Sequence, residues 1–266
     1  MSDSPLISVI IPSVKRPHRL WQALESVAAQ TYPHVEVIVI NDAGLPVGDL
    51  VTRYRTTFAR PAHYVDLAAS RGAGGVRNTG IAIARGTLIA LLDDDDRYRP
   101  EHLARLAAAL QADPTAVLAY DDALISLQNG DAIDAPITAT CRFGRPYDAA
   151  IFDQDDFIVT STVLFWQREF LAVGGFDEAL AFCEDWDLLL RLRQRGSLCY
   201  VPGEIGVDYS YRMGGSDNIS RDFGEKRQAA LVHLSARYGL PALVPKTFFD
   251  VARDLGFAVV PVGDEH

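Results

Sequence analysis

The apolar positions fall into short runs separated by amphipathic stretches, the alternation expected of an α/β protein with a mostly parallel sheet. Residues 6–11 are a β-branched run and predict a first, central strand that Pro12 stops. Pro17 opens a helix with Leu20, Leu24 and Val27 on one face. Residues 35–40 predict a second strand, which ends in the polar tip Asn41-Asp42-Ala43-Gly44. A helix over 47–58 and a third strand over 62–67 follow. Residues 70–80 are rich in glycine and become helical through Ile83. Residues 87–92 form an apolar run after Thr87, as a strand buried on both faces should. Pro100 then sits in the first turn of an amphipathic helix over 100–112.

The second half is more mixed. Residues 116–127 predict a strand, and Asn129-Gly130 is a hairpin turn signal. Residues 132–147 read as a strand-and-loop excursion. Residues 157–166 predict a strand and 168–173 a short helix closed by Gly174-Gly175. A helix carries Asp185, residues 197–201 predict a strand, and 209–216 predict a basic, glycine-bearing loop. A helix over 222–238 precedes an extension, 241–266, whose apolar part at 248–262 has no legible role. No repeat or linker divides the 266 residues, so one continuous body is expected.

Charge narrows the function. A formal net charge of -10 opposes a nucleic-acid partner, which needs a basic face. The odd set of three cysteines, without CxxC spacing, points to a reducing cytosol rather than a disulfide framework or zinc site. No apolar run approaches the ~20 residues of a membrane span. The expected location is the cytoplasm, with the inner membrane face as the alternative.

The chemistry concentrates at Asp93-Asp94-Asp95-Asp96, directly after the apolar strand. Carboxylates this close repel unless a cation or hydrogen-bond donors share the site. The carboxyl edge of a parallel sheet is where open α/β folds bind ligands. Aspartate oxygens suit Mg²⁺ or Mn²⁺, which bridge carboxylates to substrate phosphates. Arg71 and Arg77 offer planar donors for a phosphate or base. Gly72-Ala73-Gly74 follows the third strand rather than the first, so it makes a weak dinucleotide fingerprint. Asp185 shares a helix face with Leu188, Leu189 and Leu192 and should point inward, where helix dipole and burial pull its pKa in opposite directions, as suits a general base. Glu184 reads as a second functional carboxylate or a first-turn acid. Asp187, four residues before Arg191, reads as a surface ion pair. Arg212 could clamp a diphosphate or serve an ordinary ion pair. The histidines lack metal-ligand spacing.

In this order and spacing, Ser8-Val9-Ile10-Ile11-Pro12, Gln30-Thr31-Tyr32, Glu36-Val37-Ile38-Val39-Ile40-Asn41-Asp42, Arg77-Asn78-Thr79-Gly80, Leu92-Asp93-Asp94-Asp95-Asp96, Gly174-Gly175-Phe176-Asp177-Glu178 and Glu184-Asp185-Trp186-Asp187-Leu188 resemble the family 2 glycosyltransferases of the GT-A fold. The resemblance implies a three-layer α/β/α sandwich around a mostly parallel, mixed sheet. It implies a single domain over 1–240, with a nucleotide-sugar-binding half at about 5–100, an acceptor-binding half at about 101–220, and the extension 241–266. The donor would be a UDP-, GDP- or dTDP-sugar and the acceptor a saccharide, glycolipid or other hydroxyl. Pro12, Asp42, Arg77, Asp93, Asp95 and Arg212 would bind the donor, with Mn²⁺ or Mg²⁺ at Asp95. Asp185 would be the catalytic base of an inverting displacement, and Glu184 and Trp186 would form the acceptor site. Polysaccharide or glycoconjugate synthesis is the expected setting. The family's late histidine is replaced near Met213-Gly214. No processive motif or membrane helix is present, so one sugar per encounter is expected. A nucleotidyltransferase and a non-catalytic sugar-nucleotide-binding module are the rival readings.

Overall fold

The structure, a computed structural model, describes residues 4–130, 132–213 and 224–262. Strand β1 (Ile7–Ser13) lies between β2 (Val35–Asn41) and β4 (Leu88–Leu91), parallel to both. β3 (Ala62–Asp66) pairs parallel outside β2. The apolar runs of β2 and β4 are buried throughout, which is why they show no alternation. The chain moves from β1 out through β2 to β3 and then returns to place β4 on the other side of β1. The connections therefore part above the carboxyl ends of β1 and β4, and a crevice opens there. Helix α3 (Gly72–Ala82) packs on β1 and β2, while α2 (Gly48–Phe58) packs on β3 and against α1 (Pro17–Ala28).

The second half extends the same sheet. β8 (Val163–Trp166) runs antiparallel between β4 and the first part of β6 (Ala116–Gln128), and so joins the halves. The far part of β6 pairs antiparallel with β7 (Ile137–Phe143). β9 (Ser197–Arg212) follows β6 in parallel and also holds the short β5 (Arg97–Tyr98). α4 (His102–Ala112) covers β6 and β9. The expected α/β architecture with a mixed sheet is what forms.

Several local expectations change. Pro12 does not end β1; it pairs with Ile40, past the last pair with β4, where a missing N–H is tolerated. The glycine-rich segment is helix from Gly72 onward. Residues 157–159 are buried but irregular, and a 3-10 turn (Thr160–Thr162) precedes β8, so only the last four residues of the predicted 157–166 strand form one. The predicted 209–216 loop is strand through Arg212, because Tyr209–Arg212 continue the ladder with β6; Gly214 to Ser216 lie outside the described residues. The excursion 132–147 contains β7. The late helix is α8 (Glu225–Tyr238); Asp222 and Phe223 lie outside the described residues.

The C-terminal segment is integral to the fold. It contributes α9 (Phe248–Asp254) and β10 (Val259–Pro261), the latter paired antiparallel with β7. Among the described residues no helix is long and apolar enough to cross a membrane.

Candidate active site

β4 delivers the chain into the acid turn at the switch point. Three arginines and a serine engage the four carboxylates, and Arg16 serves two of them. Asp93 accepts from Arg77 Nη2 at 2.7 Å. Asp94, fully buried, faces Arg16 Nη2 at 2.6 Å. Asp95 accepts from Arg16 Nη1 at 2.6 Å and from Arg212. Asp96 accepts from Ser161 Oγ at 2.6 Å and from the Ser210 amide at 3.1 Å, which ties the turn to β9. Burial pushes Asp94 up to about 7 against the pull of Arg16, with Asp95 adding repulsion. Burial, Asp95 and Asp93 push Asp96 well above the usual carboxylate range.

Helix α7 (Glu184–Leu192) brings the second set. It starts from Cys183, whose φ of 58° lies in the left-handed region that non-glycine residues seldom adopt. Such strain is characteristic of functional sites. Leu188, Leu189 and Leu192 bury that helix face, while the first turn points Glu184, Asp185 and Trp186 into a cavity of about 440 Å³. Asp185 is half-buried there, and Thr160 Oγ1 donates to its Oδ2 at 2.7 Å. Arg77, buried, bridges the two sets: Nη1 donates to Glu184 at 2.8 Å while Nη2 holds Asp93. Burial and the nearby Asp185 raise Glu184 to about 7, with Arg77 opposing. Asp156 lines the same cavity and is pushed well above the usual range by burial and then by Asp185.

The cavity thus unites Arg77, Asp93, Glu184, Asp185 and Trp186 from the expected site residues. Trp186 is buried, and its indole N–H donates to the Phe152 carbonyl at 3.1 Å, so its ring forms a fixed wall. Asp95 and Arg212 pair with each other and do not line the cavity. Pro12 sits half-buried at the end of β1. Asp42 accepts from Ser70 Oγ at 2.6 Å and the Arg71 amide at 2.7 Å, so it fixes the entry to α3. A larger open groove, about 820 Å³, holds none of these residues.

Asp187 departs from expectation. It is not on the surface: it is 0% exposed. Arg191 holds one oxygen, and Tyr238 Oη at 2.6 Å and Arg237 at 3.2 Å hold the other. The i,i+4 pair with Arg191 exists, but α8 covers it, and residues fifty apart in sequence gave no sign of that. Asp156, Thr160 and residues 244–251 are functional candidates absent from the sequence-derived set. Their chain segments carried irregular patterns, and only the cavity brings them to Asp185.

Asp93 and Asp95 carry hard oxygens of the kind Mg²⁺-like ions use, since such ions take one or two carboxylates and fill the rest of their shell from phosphates and water; here both are ion-paired to arginine. Among the described residues no three His, Cys, Asp or Glu side chains converge as an all-protein cage. Arg16, Arg77 and Arg212 balance the turn's charge.

The chain is similar to the mannosyltransferase PcManGT from Pyrobaculum calidifontis, solved in complex with GDP-Man and Mn²⁺, with a TM-score of 0.59 and 18% identity, covering 82% of this chain and 59% of that one. It is also similar to S. aureus TarS 1-349 in complex with UDP-GlcNAc, with a TM-score of 0.63 and 16% identity, covering 87% of this chain and 66% of that one. The chain spans less than two thirds of these solved chains, and at such identities the likeness carries the fold alone: this is the GT-A fold.

The sequence comparisons are more specific. The family described as Glycosyl transferase family 2 matches residues 8–130. The uncharacterized glycosyltransferase YwdF of Bacillus subtilis (strain 168) is 32% identical over 248 residues, covering 91% of this chain and 87% of that one. The succinoglycan biosynthesis protein ExoO of Rhizobium meliloti (strain 1021) is 29% identical over 252 residues, covering 91% and 71%. The chain belongs to glycosyltransferase family 2 and is a glycosyltransferase.

Proposed function

We propose that the enzyme moves one sugar from a nucleoside-diphosphate sugar to an acceptor hydroxyl with inversion of configuration. The observation that carries this reading is that Asp93, at the tip of β4, and Asp185, at the start of α7, line one cavity. Asp185 takes the proton of the acceptor hydroxyl. The freed oxygen lone pair bonds to the anomeric carbon, and the bond from that carbon to the diphosphate breaks with its electrons leaving on the nucleotide. Thr160 aims the base through its 2.7 Å hydrogen bond. Asp93 and Asp95 would hold a divalent cation, which supplies positive charge to the leaving diphosphate. Arg77 and Arg212 add charge there, and Pro12 and Asp42 face the nucleoside. Residues 5–100 thus serve the donor and 101–220 the acceptor, with Glu184 and Trp186 flanking the base.

Solved relatives in complex with UDP-GlcNAc and with GDP-Man and Mn²⁺ support a nucleotide-sugar donor and a cation. The succinoglycan biosynthesis relative supports a role in polysaccharide assembly. A thermal-shift panel of UDP, GDP and dTDP with Mn²⁺ tests the donor. At a hundredfold excess over Kd the matching diphosphate stabilises by ~2.7 kcal/mol, or roughly 5–10 °C for a chain of this size. Asp185→Asn should keep that shift and lose ~10²–10⁴-fold in kcat. A panel without any shift, or a variant as fast as the parent, overturns the assignment.

A further inference from the structure

The C-terminal segment reaches back to the cavity. Val244, Pro245, Lys246, Thr247, Phe248 and Val251 line it together with Asp185. This stretch is anchored at many points. Lys246 Nζ binds Asp155 at 2.7 Å and Asp254 at 2.9 Å. Arg227 donates to the Lys246 carbonyl at 3.1 Å. Thr247 and Asp250 close a capping box at the start of α9. The Phe248 ring meets Tyr209 edge-on at 5.1 Å and Phe143 at 5.5 Å. Beyond it, β10 is stitched to β7. So many anchors make a fixed wall rather than a loose tail.

We infer that residues 244–251 are the acceptor-selecting wall of this glycosyltransferase and that Lys246 is the positioning residue that sets its height. The inference rests on the assignment of Asp185 as base. Lys246 joins the wall to Asp155, which lines the cavity beside Asp156, so one ammonium ties the two linings together. The volume of about 440 Å³ is at the small end of ligand sites, which suits the end of a glycan and not a chain passing through.

Cys183 lines the cavity and supplies a probe. Burial pushes its thiol up, so it reacts slowly while the wall covers it and faster when water and reagent enter. With half-buried Cys199 replaced by Ser and Cys141 buried in β7, slow maleimide labelling reports on Cys183. Lys246→Met should speed labelling about tenfold, the factor that roughly 1.4 kcal/mol of lost anchoring gives, and Lys246→Arg should restore the parent rate. Equal rates in parent and Lys246→Met overturn the wall. p-Nitrophenyl hexosides at millimolar concentration should slow labelling in the parent. No protection by any glycoside overturns the assignment of the wall to the acceptor. Protection without any nucleotide-dependent melting shift would instead strike the donor assignment and leave the wall standing.

Discussion

Arg77 is the test of how the two halves are held together. Its guanidinium spans Asp93 at 2.7 Å and Glu184 at 2.8 Å. Lysine offers a single ammonium, so Arg77→Lys can serve only one of the two carboxylates. The other is left facing a buried site. Removing one partner of a fully buried pair costs ~3–5 kcal/mol. The side chains of Glu184 and Asp93 are 11% and 29% exposed, so solvent screens part of the penalty. About 2–3 kcal/mol of lost stability is the resulting expectation, a large share of the ~5–15 kcal/mol typical of a domain. Urea unfolding at pH 8 measures it. The pH dependence adds a second check. Burial raises Glu184 to about 7 in the folded parent, and loss of the full guanidinium raises it further. A carboxyl with a raised folded pKa destabilises as pH climbs from the unfolded value through the folded one. The defect should therefore be larger at pH 8 than at pH 6, where Glu184 takes a proton. Glu184→Gln in the same background should recover part of the loss. A defect below ~1 kcal/mol at both pH values, with no recovery, would refute the bridge as a structural tie.

Other predictions concern the base of the sheet and the packing of α3. Glu36, buried in β2, accepts from Ser8 Oγ at 2.6 Å and from the Arg85 amide at 2.8 Å. Burial pushes its pKa up, but these bonds and the Arg85 charge outweigh it and hold the group below 4.5. Its stabilisation is full above the unfolded value and disappears as pH falls through the folded one. Glu36→Gln should cost ~1–3 kcal/mol at pH 7, and melting curves from pH 3 to 7 should show a flatter acid limb; an unchanged limb counts against the clasp. Gly80 lets α3 approach β1: a Cβ there would meet Ile10 Cγ2 at 2.6 Å and Ile40 at 3.3 Å. Both isoleucines are core residues with no room to swing. Gly80→Ala should destabilise by ~1–3 kcal/mol despite better helix propensity, and displacement of Arg77 should raise the donor KM. A more stable variant would show that α3 has slack. Tyr238→Phe removes the 2.6 Å bond to buried Asp187; a loss of ~1–2 kcal/mol in thermal melts is expected, and none would mean that Arg237 and Arg191 suffice.

Local sequence determined the βα half of this protein. Its strands are apolar and short and its helices amphipathic, so period and punctuation were enough to mark them. The acid turn was legible for the same reason: four carboxylates after a buried strand have few places to go. Asp185 was legible as an inward group, although the structure turns it into a cavity and not the core. What tertiary structure alone decided lies in the long-range pairs. Asp187 became a buried hub through α8, Tyr209–Arg212 became strand because β6 offered a ladder, and residues 244–251 became a wall through contacts with Asp155, Phe143 and Tyr209. Those outcomes depend on surfaces brought together from opposite ends of the chain, and hydrophobic period within one segment carries no information about what will cover it.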